Sequence, residues 1–309
     1  MIGGELLKDL ARLAPVRAAE PMSRHTTFGV GGPADIYVAA DSEEMLCALV
    51  KAASRHGVPV FVLGSGSNIL VGDGGIRGVV IENRVTQVEG PMPTEGGPFL
   101  VRAGSGASFA SLARRLSLAG WAGMEWAVGI PGTMGGAVVY NAGAYGGCLA
   151  DVLRSVRVAD GHGHIQELAA SQLRLGYRGS AFARGLLSGQ IVLSADLVLR
   201  RGDPPALARQ VAELDARRLA AQPRGRNAGS IFKNPRDMPA WRLIERVGLR
   251  GHRISDAQIS DVHTNFIVNY GQASAADVVA LMELAQRRVW EEFGVQLERE
   301  VSLVGEGFA

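Results

Sequence analysis

Three stretches of this 309-residue chain carry residue types that do chemistry. Gly229-Ser230-Ile231-Phe232-Lys233-Asn234-Pro235 sets a hydroxyl, an ammonium and an amide close together. Ser230 is not in a Gly-x-Ser-x-Gly elbow, which argues against a hydrolase nucleophile. A serine beside a cation can instead donate a proton to a strongly basic carbanion or enol. A turn serine is the plainer alternative. Gly64-Ser65-Gly66-Ser67-Asn68 follows an apolar, β-branched run. Glycines there let backbone N–H groups turn toward an anion, and serine and asparagine add donors. No Gly-Lys-Ser/Thr follows, so it is not a Walker loop, and the third glycine of a dinucleotide fingerprint is missing. A simple strand–turn–strand connection is the competing reading. Ala127 to Gly147 is richer in glycine and almost without charge. An apolar, side-chain-poor surface suits a flat aromatic ring packed on backbone.

Other candidates are weaker one by one. Tyr177-Arg178 offers a guanidinium that can grip a carboxylate in bidentate fashion, or a surface arginine. Glu300 sits among Val301, Leu303 and Val304. There an acid either has a raised pKa or faces solvent by strand alternation. His263 reads as a structural histidine. No His/Cys/Asp cluster has metal-ligand spacing, so no metal is expected.

These residues need elements to position them. Residues 34–40 read as a strand. Asp41 then opens a helix, with Glu44 at the capping-box position and Gly57 as its stop. Residues 58–63 are a strand running into the first glycine loop, and 69–71 and 79–81 continue as strand. Residues 85–98 read as loop and a boundary. A strand at 99–103 and a helix near 108–119 follow, stopped by Gly120. Strand patterns return at 152–159 and 191–199. A second boundary lies near 201–205. Helical periodicity then covers 206–221 and 239–247, Thr264 to Asn269 reads as strand, and Ser274 caps a long amphipathic helix ended by Gly294. A last strand covers 295–304.

The composition is 47% hydrophobic and 20% charged with net charge +2, an ordinary globular balance. Nucleic-acid steering is not indicated. Arg217, Arg218, Arg224 and Arg226 lack interleaved aromatics, so they read as a solvated face or an anion pocket. Two cysteines, Cys47 and Cys148, form no framework and fit a reducing compartment. No apolar run has spanning length, so a cytoplasmic location without membrane insertion is expected. Lysine occurs only at Lys8, Lys51 and Lys233, so a lysine kept inside a motif carries extra weight.

Taken together, VLGSGSNIL, AVGIPGTMGGAVVYNAGAYGG, YRGS, AGSIFKNP, LIERVGLRG and HTNFIVN resemble, in this order, the UDP-N-acetylenolpyruvoylglucosamine reductases of peptidoglycan synthesis. The resemblance runs from about Arg24 to Val304. It implies an α+β fold: a two-part, vanillyl-alcohol-oxidase-type FAD-binding domain (1–90 and 91–205) and a C-terminal α+β substrate-binding domain (206–309). It implies non-covalent FAD and NADPH as hydride donor. Gly64, Ser65, Gly66, Ser67, Asn68 and Ile69 would take the diphosphate side of the FAD. Gly129, Ile130, Pro131, Gly132, Gly135, Gly136, Ala137, Asn141 and Gly143 would line the flavin. Ser230 matches the proton donor, with Arg178 and Glu300 at the other catalytic positions and Lys233, Asn234 and Tyr177 toward substrate. The substrate class is a UDP-sugar enolpyruvyl ether, the chain is expected to act as a monomer, and it resembles the branch lacking an inserted tyrosine loop. There are departures. Ser255-Asp256-Ala257 stands where relatives read Gly-Gly-Ala. Thr264 replaces a usual alanine. Glu298-Arg299-Glu300 lacks the common proline and leaves Glu298 as a second candidate acid. Two other readings compete: a hydroxy-acid or sugar oxidase of the same flavin fold, disfavoured because neither glycine loop holds a histidine to tether flavin, and a non-catalytic nucleotide-binding module.

Overall fold

A computed structural model describes residues 3–308. In chain order its main elements are α1 (Gly4–Ala11), β1 (Arg17–Pro21), β2 (Pro33–Ala40), α2 (Glu43–Arg55), β3 (Val60–Leu63), β4 (Ile69–Val71), β5 (Ile76–Asn83), β6 (Val88–Pro93), β7 (Phe99–Gly104), α3 (Phe109–Leu118), β8 (Trp121–Ala122) and α4 (Met134–Tyr140). They continue with β9 (Gly143–Ala144), β10 (Gly147–Cys148), β11 (Leu153–Ala159), β12 (Ile165–Ala169), β13 (Ile191–Arg201), α5 (Pro204–Ala221), α6 (Ala240–Arg246), β14 (Arg253–Ile254), β15 (Ala257–Ile259), β16 (Ile267–Asn269), α7 (Ala275–Phe293) and β17 (Ser302–Val304). The chain divides into two compact units. One takes residues up to Val16, Tyr37–Gly64 and Val79–Arg218; the other takes Arg17–Ile36, Ser65–Gly78 and residues from Leu219 onward.

In the first unit β5 is flanked by β2 and β3, and β3 runs parallel to it with Leu63 opposite Glu82. A larger sheet is ordered β12-β11-β13-β7-β6 and its pairs are antiparallel. One face, with Val101, Ala103, Val156, Val158, Ala195 and Leu197, is buried with Phe109, Leu112, Leu116, Trp126, Met134 and Val138 of the α3–α4 region. Each such large side chain removes apolar surface worth roughly 1.5–3 kcal/mol. The alternation along β13 leaves Asp196 on the other face, where Arg102 grips it through two bonds of 2.7 Å each. That pairing raises the Arg102 pKa.

In the second unit β4 pairs in parallel with β17, and β14-β15-β16 form an antiparallel sheet. Its core gathers Phe28, Leu70, Ile231, Phe232, Leu243, Ile244, Val278, Leu281 and Met282. Ser274 and Asp277 close a capping box on α7, and Gly294 ends it in the left-handed conformation at φ 63°.

Several boundaries differ from the sequence expectation. The cap of α2 is Ser42, not Asp41: its hydroxyl accepts the Met45 N–H at 3.2 Å. Residues 88–93, expected as loop, form the edge strand β6, because an edge tolerates proline and the pairing with β7 is irregular between Glu89 and Met92. Strand β12 was not foreseen, since only Leu168 of its residues is buried. The expected strand at 264–269 shrinks to β16, because Phe266 turns back to donate to the His263 carbonyl at 3.0 Å. The expected strand at 295–304 shrinks to β17. The residues before it bond instead to the irregular segment 231–233. The second glycine stretch is not all loop, because α4 and the β9–β10 hairpin lie inside it.

Candidate active site

In the first unit, Gly64 leaves β3 and packs on Thr133 of the second glycine stretch. A Cβ at Gly64 would lie 2.6 Å from Thr133 Oγ1 and 3.3 Å from its Cγ2. Thr133 caps α4 by accepting the Gly136 N–H at 3.4 Å. The stretch is fixed from behind: Met134 donates to the Ala107 carbonyl and Gly135 to the Ser105 carbonyl, both at 2.8 Å. The Ser105 hydroxyl accepts Asn83 Nδ2 at 2.7 Å. Gly129 and Gly132 have φ of 79° and 135°, conformations that favour glycine. Ile130 and Pro131 lie between them, Ala137 is buried in α4, and Gly143 starts the small hairpin. Gly64 therefore lies directly against the Thr133 side chain, and a single methyl there would overfill the space. The absence of a side chain at Gly64, and the glycine-only conformations of Gly129 and Gly132, leave backbone groups of both stretches uncovered by side chains of their own.

Asn141 was read as a cofactor-lining residue. It is 5% exposed with φ 45°, donates through Nδ2 to the Gly176 carbonyl at 2.9 Å, and accepts the Ala150 N–H at 3.0 Å. The Nδ2 end of its amide thus ties the loop to the turn that bears Tyr177 and Arg178, and the Oδ1 end ties it to the segment around Ala150. In that turn Gly176 and Gly179 exchange hydrogen bonds of 2.9 and 3.2 Å. Ser180 anchors it by donating to the Val139 carbonyl at 2.6 Å. Arg178 sits at φ 49° with its guanidinium 5.5 Å from the Tyr177 ring centre, and Tyr177 is exposed. The basic pair Arg217 and Arg218 of α5 lies against the second glycine stretch. The Arg218 stem packs on Gly129, where a Cβ would fall 2.8 Å from Arg218 Cδ, and Arg217 lies 5.1 Å over the Tyr145 ring. Burial lowers the Arg218 pKa.

The second unit holds the rest of the first glycine loop. Gly66 has φ 63° and lies against the backbone of His25 and Thr26, where a Cβ would sit 2.2 Å from the His25 carbonyl oxygen. Ser65 is exposed and donates to Ser67 at 3.2 Å. Asn68, expected at the diphosphate, donates through Nδ2 to the Glu300 carbonyl at 3.3 Å, and its own carbonyl accepts the Ser302 N–H at 3.1 Å. Ile69 is buried in β4.

Ser230 and Glu300 come together through the backbone. The Ile231 carbonyl accepts the Glu300 N–H at 2.7 Å, and the Lys233 N–H donates to the Glu298 carbonyl at 2.9 Å. Among the described residues the Ser230 hydroxyl has no side-chain hydrogen bond. Lys233 and Glu298 form an ion pair. Asn234 Oδ1 accepts the Ala240 N–H at 3.1 Å and so covers the start of α6. Behind this segment lies Asn265, which the sequence reading did not single out. Its side chain bonds both backbone groups of Phe232. Its N–H donates to His263 Nδ1 at 3.3 Å, and burial pushes the His263 pKa down. Trp241 and Phe266 flank the His263 ring at 6.1 and 4.9 Å.

The sequence departures have local solutions. Thr264, 2% exposed, donates its hydroxyl to the Trp241 carbonyl. Ser255 takes φ 50°, and Asp256 accepts the Gln272 N–H at 2.8 Å and pairs with Arg253 at 2.6 Å. These bonds lower the Asp256 pKa, the backbone one most. Among the described residues no group of His, Cys, Asp and Glu is arranged to hold a metal, and no helix is long and apolar enough to cross a membrane.

Residues 34–169 match the FAD binding domain family, and residues 221–304 match the C-terminal domain of UDP-N-acetylenolpyruvoylglucosamine reductase. The UDP-N-acetylenolpyruvoylglucosamine reductase of Clostridioides difficile (strain 630) is 42% identical over 292 residues, covering 94% of each chain. That of Agathobacter rectalis is 43% identical over 296 residues, covering 93% of each. The crystal structure of the Thermus caldophilus reductase, 37% identical, superposes with a TM-score of 0.76 over 94% of this chain and 98% of that one. The fold is α+β, an FAD-binding domain followed by the reductase C-terminal domain, and the chain belongs to the UDP-N-acetylenolpyruvoylglucosamine reductase family.

Proposed function

We propose that this chain reduces the enolpyruvyl group of UDP-N-acetylglucosamine-enolpyruvate to UDP-N-acetylmuramate with NADPH, using FAD, as a cytoplasmic step of peptidoglycan precursor synthesis. The organisation behind it is two FAD-binding halves, 1–90 and 91–205, and a substrate-binding domain, 206–309. The observation that carries the mechanism is the bond from the Glu300 N–H to the Ile231 carbonyl, 2.7 Å. It sets a candidate acid and a candidate carboxyl partner on adjoining backbone.

When bound, FAD would supply the hydride chemistry, passing hydride taken from NADPH to the terminal carbon of the enolpyruvyl group. The residues of the chain do the remainder. Gly64 to Ile69 and Gly129 to Gly143 would hold the cofactor, largely with backbone groups. Lys233, Asn234 and Tyr177 bind substrate. Arg178 and Glu300 polarise the enolpyruvyl carboxylate and hold the negative charge that develops as hydride arrives. Such contacts strengthen in the transition state and therefore lower the barrier. Ser230 donates its proton to the neighbouring carbon and is reprotonated from solvent. Of the two candidate acids, the register of the final motif favours Glu300 as the catalytic carboxyl, with Glu298 in an ion pair with Lys233.

The test is anaerobic. The purified protein should be yellow, bleach with NADPH, and recover its oxidised spectrum when the enolpyruvyl substrate is added. Ser230→Ala should bleach at close to the normal rate and recover at least roughly a hundredfold more slowly. Equal loss in both steps would remove Ser230 from the acid role.

A further inference from the structure

We propose that Asn265 is the positioning residue for Ser230, acting through the backbone of Ile231 and Phe232. Three hydrogen bonds run from this one residue to the two residues that follow Ser230. The Asn265 carbonyl accepts the Ile231 N–H at 2.9 Å. Its side-chain Oδ1 accepts the Phe232 N–H at 2.9 Å, and its Nδ2 donates to the Phe232 carbonyl at 2.8 Å. Asn265 and Phe232 are each 2% exposed, so water cannot stand in for either partner.

Neither segment belongs to a regular strand. The opposite edge of the 231–233 segment is taken by residues 298–301: Ile231 accepts from Glu300 at 2.7 Å and from Val301 at 3.4 Å, while Lys233 donates to Glu298 at 2.9 Å. Among the described residues no regular strand lines the edge facing Asn265. The carboxamide supplies there what a peptide group of such a strand would supply, one acceptor and one donor at the right separation. Its position is fixed in turn by the Asn265 N–H bond to His263 Nδ1 and by the turn that brings Phe266 to the His263 carbonyl. The Ser230 hydroxyl, with no side-chain bond of its own among the described residues, takes its place from this backbone. A displacement of about 1 Å at a reacting group costs on the order of a hundredfold in rate. Asn265 touches no reacting atom, so its effect falls on the half-reaction with the enolpyruvyl substrate and spares reduction by NADPH.

The inference rests on Ser230 being the acid, and the experiment separates the two. Asn265→Asp keeps an acceptor for the Phe232 N–H and loses the donor; Asn265→Ala loses both. In the FAD-loaded enzyme, reduction by NADPH should stay within about twofold for both variants. Reoxidation by the enolpyruvyl substrate should fall on the order of a hundredfold in Asn265→Ala and less in Asn265→Asp, with an increased solvent deuterium isotope effect. Amide hydrogen exchange at Ile231–Lys233 in the same samples should speed up at least roughly tenfold, while exchange in the β7 and β13 strands does not change. Unchanged exchange at these amides overturns the inference whatever the activity. So does faster exchange with normal reoxidation, or an equal loss in both half-reactions. Ser230→Ala is run alongside: if it reoxidises normally, the acid assignment fails independently of what the Asn265 amide exchange shows.

Discussion

Replacing Gly64 with alanine tests the contact between the two glycine stretches. The added Cβ would stand 2.6 Å from Thr133 Oγ1, 3.3 Å from Cγ2 and 3.5 Å from Cβ. Ordinary contact begins near 3.4 Å, so two of the three distances are too short. Gly64 is not among the positive-φ residues, so the penalty is steric and not conformational. Thr133 cannot easily give way. Its branched side chain is stiff about χ1, and its hydroxyl caps α4 through Gly136. Rotating it forfeits a cap worth about 1 kcal/mol, and overpacking of this kind costs roughly 1–3 kcal/mol. We expect Gly64→Ala to lower stability by about 2–3 kcal/mol, or, if the loops part instead, to weaken FAD by ten- to a hundredfold, a factor of ten per ~1.4 kcal/mol. Denaturant unfolding and fluorescence titration of the apoprotein with FAD read the two outcomes. The decisive comparison repeats the change on a Thr133→Ala background. Oγ1 and Cγ2 are then gone, only the 3.5 Å Cβ contact remains, and the added cost should drop below about 0.5 kcal/mol. A cost equal in both backgrounds would refute the contact.

Thr264→Val should destabilise the protein by roughly 1–3 kcal/mol in denaturant titration, because it keeps the shape and strips the Trp241 carbonyl of its buried donor. Thr264→Ser should cost less. Stability should also fall in mild acid because of His263. Burial, with a small contribution from the Arg250 charge, depresses its folded-state pKa below that of the unfolded chain, while a hydrogen bond at His263 itself opposes the shift. The unfolded state therefore takes up the proton first. This contribution is complete above about pH 6.5 and is lost as pH drops below that value. In urea titrations at about pH 5.5 and 7.5, His263→Asn should narrow the difference between the two; an unchanged difference would discount His263.

Local chemistry made much of the fold readable before any coordinates. Ser274 with Asp277, Gly120 after α3 and Gly294 after α7 act within one helical turn, so sequence spacing suffices to find them. The one-residue slip at Ser42 shows how finely two adjacent polar residues must be told apart. The order of the glycine loops, Tyr177-Arg178, Ser230 and Glu300 was likewise legible, because each is a short run of distinctive types. Tertiary structure alone decided what several of these residues touch. Asn141 bonds residue 176, Asn68 bonds residue 300, Lys233 pairs with residue 298 and Asn265 holds residue 232. A short motif carries no record of such partners, which meet only after the chain has closed loops of 33 to 232 residues around a common core. The same closure gave Thr264 its acceptor and the Asp256 carboxylate its amide. Sequence thus determined which groups are present and how each local element begins and ends. The packed chain decided which buried polar groups must satisfy one another, since burial leaves each of them no other partner.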